Sequence, residues 1–197
     1  MRIRRVKSKG LVLSRLPASQ LRLLQQIPLH ADPSGSPAAE ERLYQSPVKF
    51  PLSDTDDELV SDWQDHVVPD LQHDFASQLD CVTGDLLQVQ RQKPTRRPAA
   101  DSLREEDPEH SDEDGDEDED VEGARYELTI PLDHIESWYG ALNQARLVMQ
   151  ERYKFPEIEN LSAIVTLLAS ENLKPYLTSR FYTEIQAALL DLGMDPE

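Results

Sequence analysis

Apolar residues recur along this chain at helical spacing, in stretches separated by Pro-rich and charged segments. The longest stretch is Val60, Trp63, Val67, Leu71, Phe75, Leu79, Val82, Leu86 and Val89. Its steps of three and four residues are the period of one helix face. Phe50-Pro51-Leu52 leads into it, and Ser53 or Asp54 supplies the N-cap. Asp56, Asp57 and Glu58 fall in the first turn, where the helix dipole favours acids. Pro69 lies inside the pattern and predicts a kink or break near Val68, because it removes one backbone donor and crowds the preceding turn.

The N-terminus reads differently. Arg2 to Val6 and Leu11 to Ser14 are short β-prone runs around Ser8-Lys9-Gly10, a hairpin pattern in which Gly10 takes positive φ cheaply. Pro17 opens a helix with Leu21, Leu24 and Ile27 on its apolar face, and Pro28 stops it. After residue 124, Tyr126, Leu128 and Ile130 alternate with polar residues and predict a strand. Asp133 and Glu136 resemble a capping box. The helix they start runs to about Tyr153 and buries Ile135, Trp138, Tyr139, Leu142, Ala145 and Met149. Pro156 separates it from a helix with Ile158, Leu161, Val165 and Leu168 inward. Pro175 separates that from a third, with Leu177, Phe181, Ile185, Leu189 and Leu192 inward and Gly193 as its stop.

The pattern fails between Gln92 and Gly123. Residues 105–122 hold 13 of the chain's 38 acids and no Lys or Arg; the whole chain carries 20 bases and a net charge of −18. Without the run the balance is 25 acids to 20 bases, so most of the charge is local. Repulsion at this density, with Val121 the one apolar residue in the run to offset ordering entropy, predicts a disordered insert. The segment Leu29 to Ser46, rich in Pro, Ser, Ala and Gly, further dilutes the apolar content. Residues 1–29 carry seven bases and no acid. An organelle transit peptide shares that composition, but serine and amphipathic character are weak in the first fifteen residues and a folded reading fits better. The single cysteine, Cys81, excludes an intramolecular disulfide and favours a reducing compartment. Leu11-Val12-Leu13 is too short for a signal core or a span, so a cytoplasmic protein without membrane contact is expected.

The expected fold is mainly α: a helical bundle with a small N-terminal β-hairpin and one short strand, interrupted by the acidic insert. Residues 1–92 supply the hairpin, a helix and the long kinked helix. Residues 93–123 form the basic and acidic linker, and 124–197 complete the same domain.

The order of segments resembles a known family. An Arg-rich strand pair leads into a Leu-rich helix, followed by Asp54-Thr-Asp-Asp-Glu-Leu-Val-Ser-Asp-Trp63, a variable middle and Trp138-Tyr-Gly-Ala-Leu-Asn-Gln-Ala-Arg-Leu147. This is similar to the AosR-like family, a bacterial domain of unknown function. The resemblance implies a small cytosolic protein without catalytic residues. It also implies a link to oxidative-stress transcription, acting with a sigma factor rather than through a recognised DNA-binding motif. A redox cysteine pair does not carry over, because the chain has only Cys81, and the acidic run departs from the family pattern.

Candidate chemistry is sparse. Asp62, His66, Asp70 and His73 follow one helix flank and have metal-ligand chemistry. Asp62, His66 and Asp70 sit one residue before the apolar stripe and His73 two before it, where a solvated flank belongs, and Pro69 disturbs their register. Cys81 reads as an inert thiol, since no Lys or Arg falls between Lys49 and Arg91 to stabilise a thiolate. Trp63, Trp138, Tyr139 and Phe181 read as core. Arg146 and Arg152 read as surface or snorkelling residues, and His134 as an exposed helix start. No phosphate loop, catalytic triad order or zinc-finger spacing is present. No catalytic residue, cofactor or metal is therefore expected.

The basic hairpin is the best candidate surface. Arg2, Arg4, Arg5, Lys7 and Lys9 can follow phosphates or meet an acidic partner. The competing reading is a solvated face balanced by the chain's own acids. The expected function is non-catalytic regulatory binding, linked to transcription through a protein partner such as a sigma factor or through DNA. A protein adaptor without a nucleic-acid role is the alternative, and a metal-binding protein a more remote one.

Overall fold

Gly10 takes φ of +97°, and a Cβ there would strike the Ile130 carbonyl, so the chain can enter its second strand at this point only as glycine. This is seen in a computed structural model that describes residues 1–6, 10–48, 54–92, 124–156 and 169–193. The Ser8-Lys9 turn, the Phe50 to Ser53 lead, the acidic insert and the Ile158 to Leu168 helix lie outside these residues.

Strand β1 (Arg2–Val6) pairs antiparallel with β2 (Gly10–Pro17), Ile3 facing Leu13 and Arg5 facing Leu11. The expected strand at Tyr126 is present, and it pairs with the other side of β2, Leu128 opposite Leu13 and Ile130 opposite Leu11. A bulge between Leu13 and Leu16 turns Arg15 out at φ +55° and brings Leu16 back to the inner face. A further strand forms where none was expected. β3 (Gln90–Gln92) pairs with β4 (Arg125–Ile130), and the Gln92 amide donates to Glu127 at 3.0 Å. Packing therefore extends through Gln92, where the hydrophobic pattern had already lapsed. The sheet order is β1-β2-β4-β3.

Alternation sends Leu11, Leu13, Leu128 and Ile130 to one face, all fully buried under the helices. Helix α1 (Ala18–Gln25) follows β2, with Leu21 and Leu24 buried. Pro28 does not end the chain's helical course. It stands in the first turn of α2 (Ile27–Ala31), where its missing N–H costs nothing. The Pro- and Ser-rich segment that follows contains α3 (Pro37–Tyr44), with Ala39 fully buried, so it joins the packing instead of only diluting it.

The long helix starts as α4 (Asp54–Asp62) and continues through a π-helical turn, Trp63–Val67, into α5 (Val68–Leu86). The Val68 N–H reaches the Trp63 carbonyl five residues back, and Pro69 falls in the first turn of α5. The proline is thus accommodated by a π turn rather than by a break. The extra residue shifts the helical register. Val68 is buried and Val67 only half-buried, and the helix ends at Leu86, before Val89.

A 3₁₀ turn (Leu132–His134) opens α6 (Ile135–Tyr153). No side-chain capping bond forms there, so Asp133 and Glu136 do not make the capping box their spacing suggested. Helix α6 packs against α2, α3, α5 and α7 (Leu173–Gly193). Its central place explains why Ala141, Gln144 and Val148 are buried beyond the one expected face. Pro175 lies within the first turn of α7 and not before it, and Leu177 is 57% exposed, while Thr178 and Tyr182 take the inward positions. The Tyr182 hydroxyl donates to the Leu23 carbonyl at 2.6 Å and accepts from His30 Nδ1 at 2.8 Å, which ties α2 to α7. Arg146 does not snorkel. It donates to Gln186 between α6 and α7.

Candidate functional site

The last turn of α5 and the first of α6 place polar side chains where two helix ends meet. Cys81 and Asp85 are four residues apart on α5, and His134 and Trp138 four apart at the start of α6, so each pair projects from one side of its helix. Asp85 is 7% exposed. Its Oδ2 accepts from Trp138 Nε1 at 2.7 Å, and both of its oxygens lie 3.0 Å from His134 Nδ1. An acid is disfavoured at the end of its own helix. Here its partners come from the first turn of α6, whose dipole favours a negative charge, and both are donors. Nearby, the amide end of the Gln78 side chain of α5 lies against Gly140 of α6.

Cys81 completes the group. One donor atom each from Cys81, Asp85 and His134 lies within 4.8 Å of the others. Burial pushes the Cys81 thiol up from its ordinary value; a Ser137 hydrogen bond pulls it down, and the charges of Asp85 and Asp133 raise it further. With burial and two carboxylates raising its pKa, the thiol is a poor nucleophile.

Sequence reasoning placed His134 as an exposed helix start, and here the structure corrects it: the ring is tied to Asp85 across 49 residues of chain. Periodicity offered one signal, Asp85 standing beside Leu86 on the inward stripe, but its partners lie on another helix. The Asp62, His66, Asp70 and His73 set is not brought together as a centre. All four are exposed, the π turn runs through them, and among the described residues only the Cys81 group has the closeness of a metal site.

The sheet divides the basic candidates. Register places Arg2 opposite Ser14 and Arg4 opposite Val12, on the face away from the helices, and both are exposed. Arg5 shares the inner side with Ile3, is half-buried and makes an interaction of its own. Lys7 and Lys9 lie outside the described residues. Arg125 of β4 joins the outer face, and Arg15 stands exposed at the bulge. The outer surface therefore gathers cations from three strands, beside Glu127. Among the described residues no helix is long and apolar enough to cross a membrane.

Compared with known proteins, the chain matches no family model, no curated protein and no solved structure.

Proposed function

We propose that this chain is a non-catalytic, cytoplasmic regulatory protein, linked to transcription, that binds a polyanionic surface through the outer face of its sheet. The observation that carries this reading is the β1–β2 register, which sets Arg2 and Arg4 on the solvent side beside Arg15 and Arg125. Duplex DNA is the ligand of choice, since cations on a strand ribbon can follow phosphates and such ribbons enter the major groove. The AosR-like resemblance supports the link to transcription alone, since it implies a sigma factor rather than a DNA-binding motif. Its strongest stretch, Trp138 to Leu147, supplies buried Trp138, Ala141, Leu142, Gln144 and Ala145, so it speaks to packing and not to the binding face.

Fluorescence anisotropy of mixed-sequence duplex DNA tests the reading. Affinity should fall with salt, and the Arg2→Gln/Arg4→Gln form should bind more weakly, with a log–log salt slope shallower by about 2. A form lacking residues 105–122 should bind more tightly, because the acids compete for the same cations. An unchanged slope in the double variant overturns the proposal.

One observation favours a protein partner as the second reading. Strand β1 is terminal in the sheet, and among the described residues no strand pairs with its outer edge. An extended segment of a sigma factor or another protein can add there through backbone hydrogen bonds. Capture of a purified sigma factor that survives the double arginine substitution, without DNA binding, would select this reading.

A further inference from the structure

We propose that Cys81, Asp85 and His134 form a binding site for one divalent metal ion, with Zn²⁺ the best match to the donor set. Thiolate, carboxylate and imidazole are the three ligand types that this borderline-soft ion takes, and they arrive here from two helix ends. The site is separate from the basic face, and its test does not depend on DNA binding.

Geometry supports an ion in several ways. Ligands at about 2.0–2.3 Å from a tetrahedral ion stand roughly 3.2–3.7 Å from one another. The three donors already lie within 4.8 Å, so closure asks only for a small side-chain adjustment. His134 Nδ1 faces both Asp85 oxygens at 3.0 Å, with a shared proton holding the ring and carboxylate together. An ion can take the place of that proton: the imidazole hydrogen moves to Nε2, and the thiol proton passes to solvent. The Trp138 indole holds Oδ2 at 2.7 Å, which orients the carboxylate and leaves Oδ1 to ligate. Outer-shell donors do this at metal sites generally.

Access and charge agree. The His134 side chain is 36% exposed and Cys81 is half-buried, so an ion can enter and water can fill a fourth position. The field is negative, from Asp85 and Asp133, and the sequence from Asp54 to Gln90 contains no Lys or Arg to repel a cation. No single helix contains this donor set, which needs residues 81, 85 and 134 together.

Titration of the full chain with Co²⁺ as a Zn²⁺ probe, followed by absorption, tests the site. One equivalent should produce the visible bands of tetrahedral cobalt and a near-ultraviolet thiolate-to-cobalt band, both removed by Zn²⁺. Cys81→Ser should abolish the near-ultraviolet band. Asp85→Asn keeps an acceptor for Trp138, and it and His134→Gln should each weaken binding at least ~10-fold. Circular dichroism of each variant separates lost ligation from lost folding. Cobalt bound without the near-ultraviolet band, as the acidic run alone would bind it, overturns the proposal. So does equal affinity in the wild type and in folded Asp85 and His134 variants.

Discussion

The two ends of the long helix carry the same amphipathic pattern and meet different surroundings. At the α4 end, Val60, Trp63, Val67, Leu71 and Phe75 are all half-buried. Trp63 donates to the Tyr44 carbonyl at 3.0 Å, and Phe75 packs near the Tyr44 ring. At the far end of α5, Val82 and Leu86 are buried in the main core, and Leu79 packs against it. Asp85 there receives the indole of Trp138, which is fully buried. Each end thus has a tryptophan donating to oxygen, one at a periphery built on α3 and one at the centre. Helical periodicity reports that a face is apolar; it does not report what that face meets.

Replacing the two tryptophans gives the largest expected contrast. Trp138→Ala should cost about 3–5 kcal/mol of unfolding free energy, because it opens a cavity in the core. Trp63→Ala should cost about 1–2 kcal/mol, a partial transfer term and one hydrogen bond. Urea denaturation measures both, and equal losses would show that the two ends are one cooperative core. The acids give a smaller contrast. Asp85→Ala leaves the Trp138 N–H buried without an acceptor and should cost about 1–3 kcal/mol. Asp65→Ala, exposed on the π turn, should stay within about 0.5 kcal/mol of the wild type.

The smallest effect is a pH dependence confined to the central region. Burial, helped by the Arg152 charge, lowers the His30 pKa from 6.5. The unfolded chain therefore takes up the proton first as pH falls. Stability contributed by neutral His30 is present above 6.5, declines as pH drops from 6.5 through the lowered value, and levels off below it. His30→Gln should flatten that part of the urea-midpoint profile, while Phe75→Ala should leave its slope unchanged. A profile as steep in His30→Gln as in the wild type would place the titration elsewhere.

The contrast also shows what was legible from sequence. The hairpin, the Tyr126 strand and the inward faces of α1 and α6 could be read because local alternation or helical spacing coincided with burial. Strand β3 could not: Gln90, Arg91 and Gln92 have no apolar signal, and β4 recruits them through backbone bonds. Helix α3 escaped for a related reason, since its buried contact is a single alanine, Ala39. Of the site, Cys81 was singled out, but alone. Asp85 and His134 acquire meaning only when α5 and α6 meet, a contact between distant parts of the chain that no local window contains. The arginines of the hairpin were visible as charge, whereas their division into Arg2 and Arg4 outside and Arg5 inside required the register.

The pairing of Gln92 with Arg125 makes the sheet indifferent to what connects them. The chain leaves β3 and re-enters β4 at one point, already clamped by antiparallel neighbours. Each doubling of the connection adds only about 0.6 kcal/mol of closure entropy. Residues 93–124 can therefore lengthen, shorten or change composition through evolution at little thermodynamic expense. The same economy makes this junction the natural place to graft a fluorophore or a foreign domain.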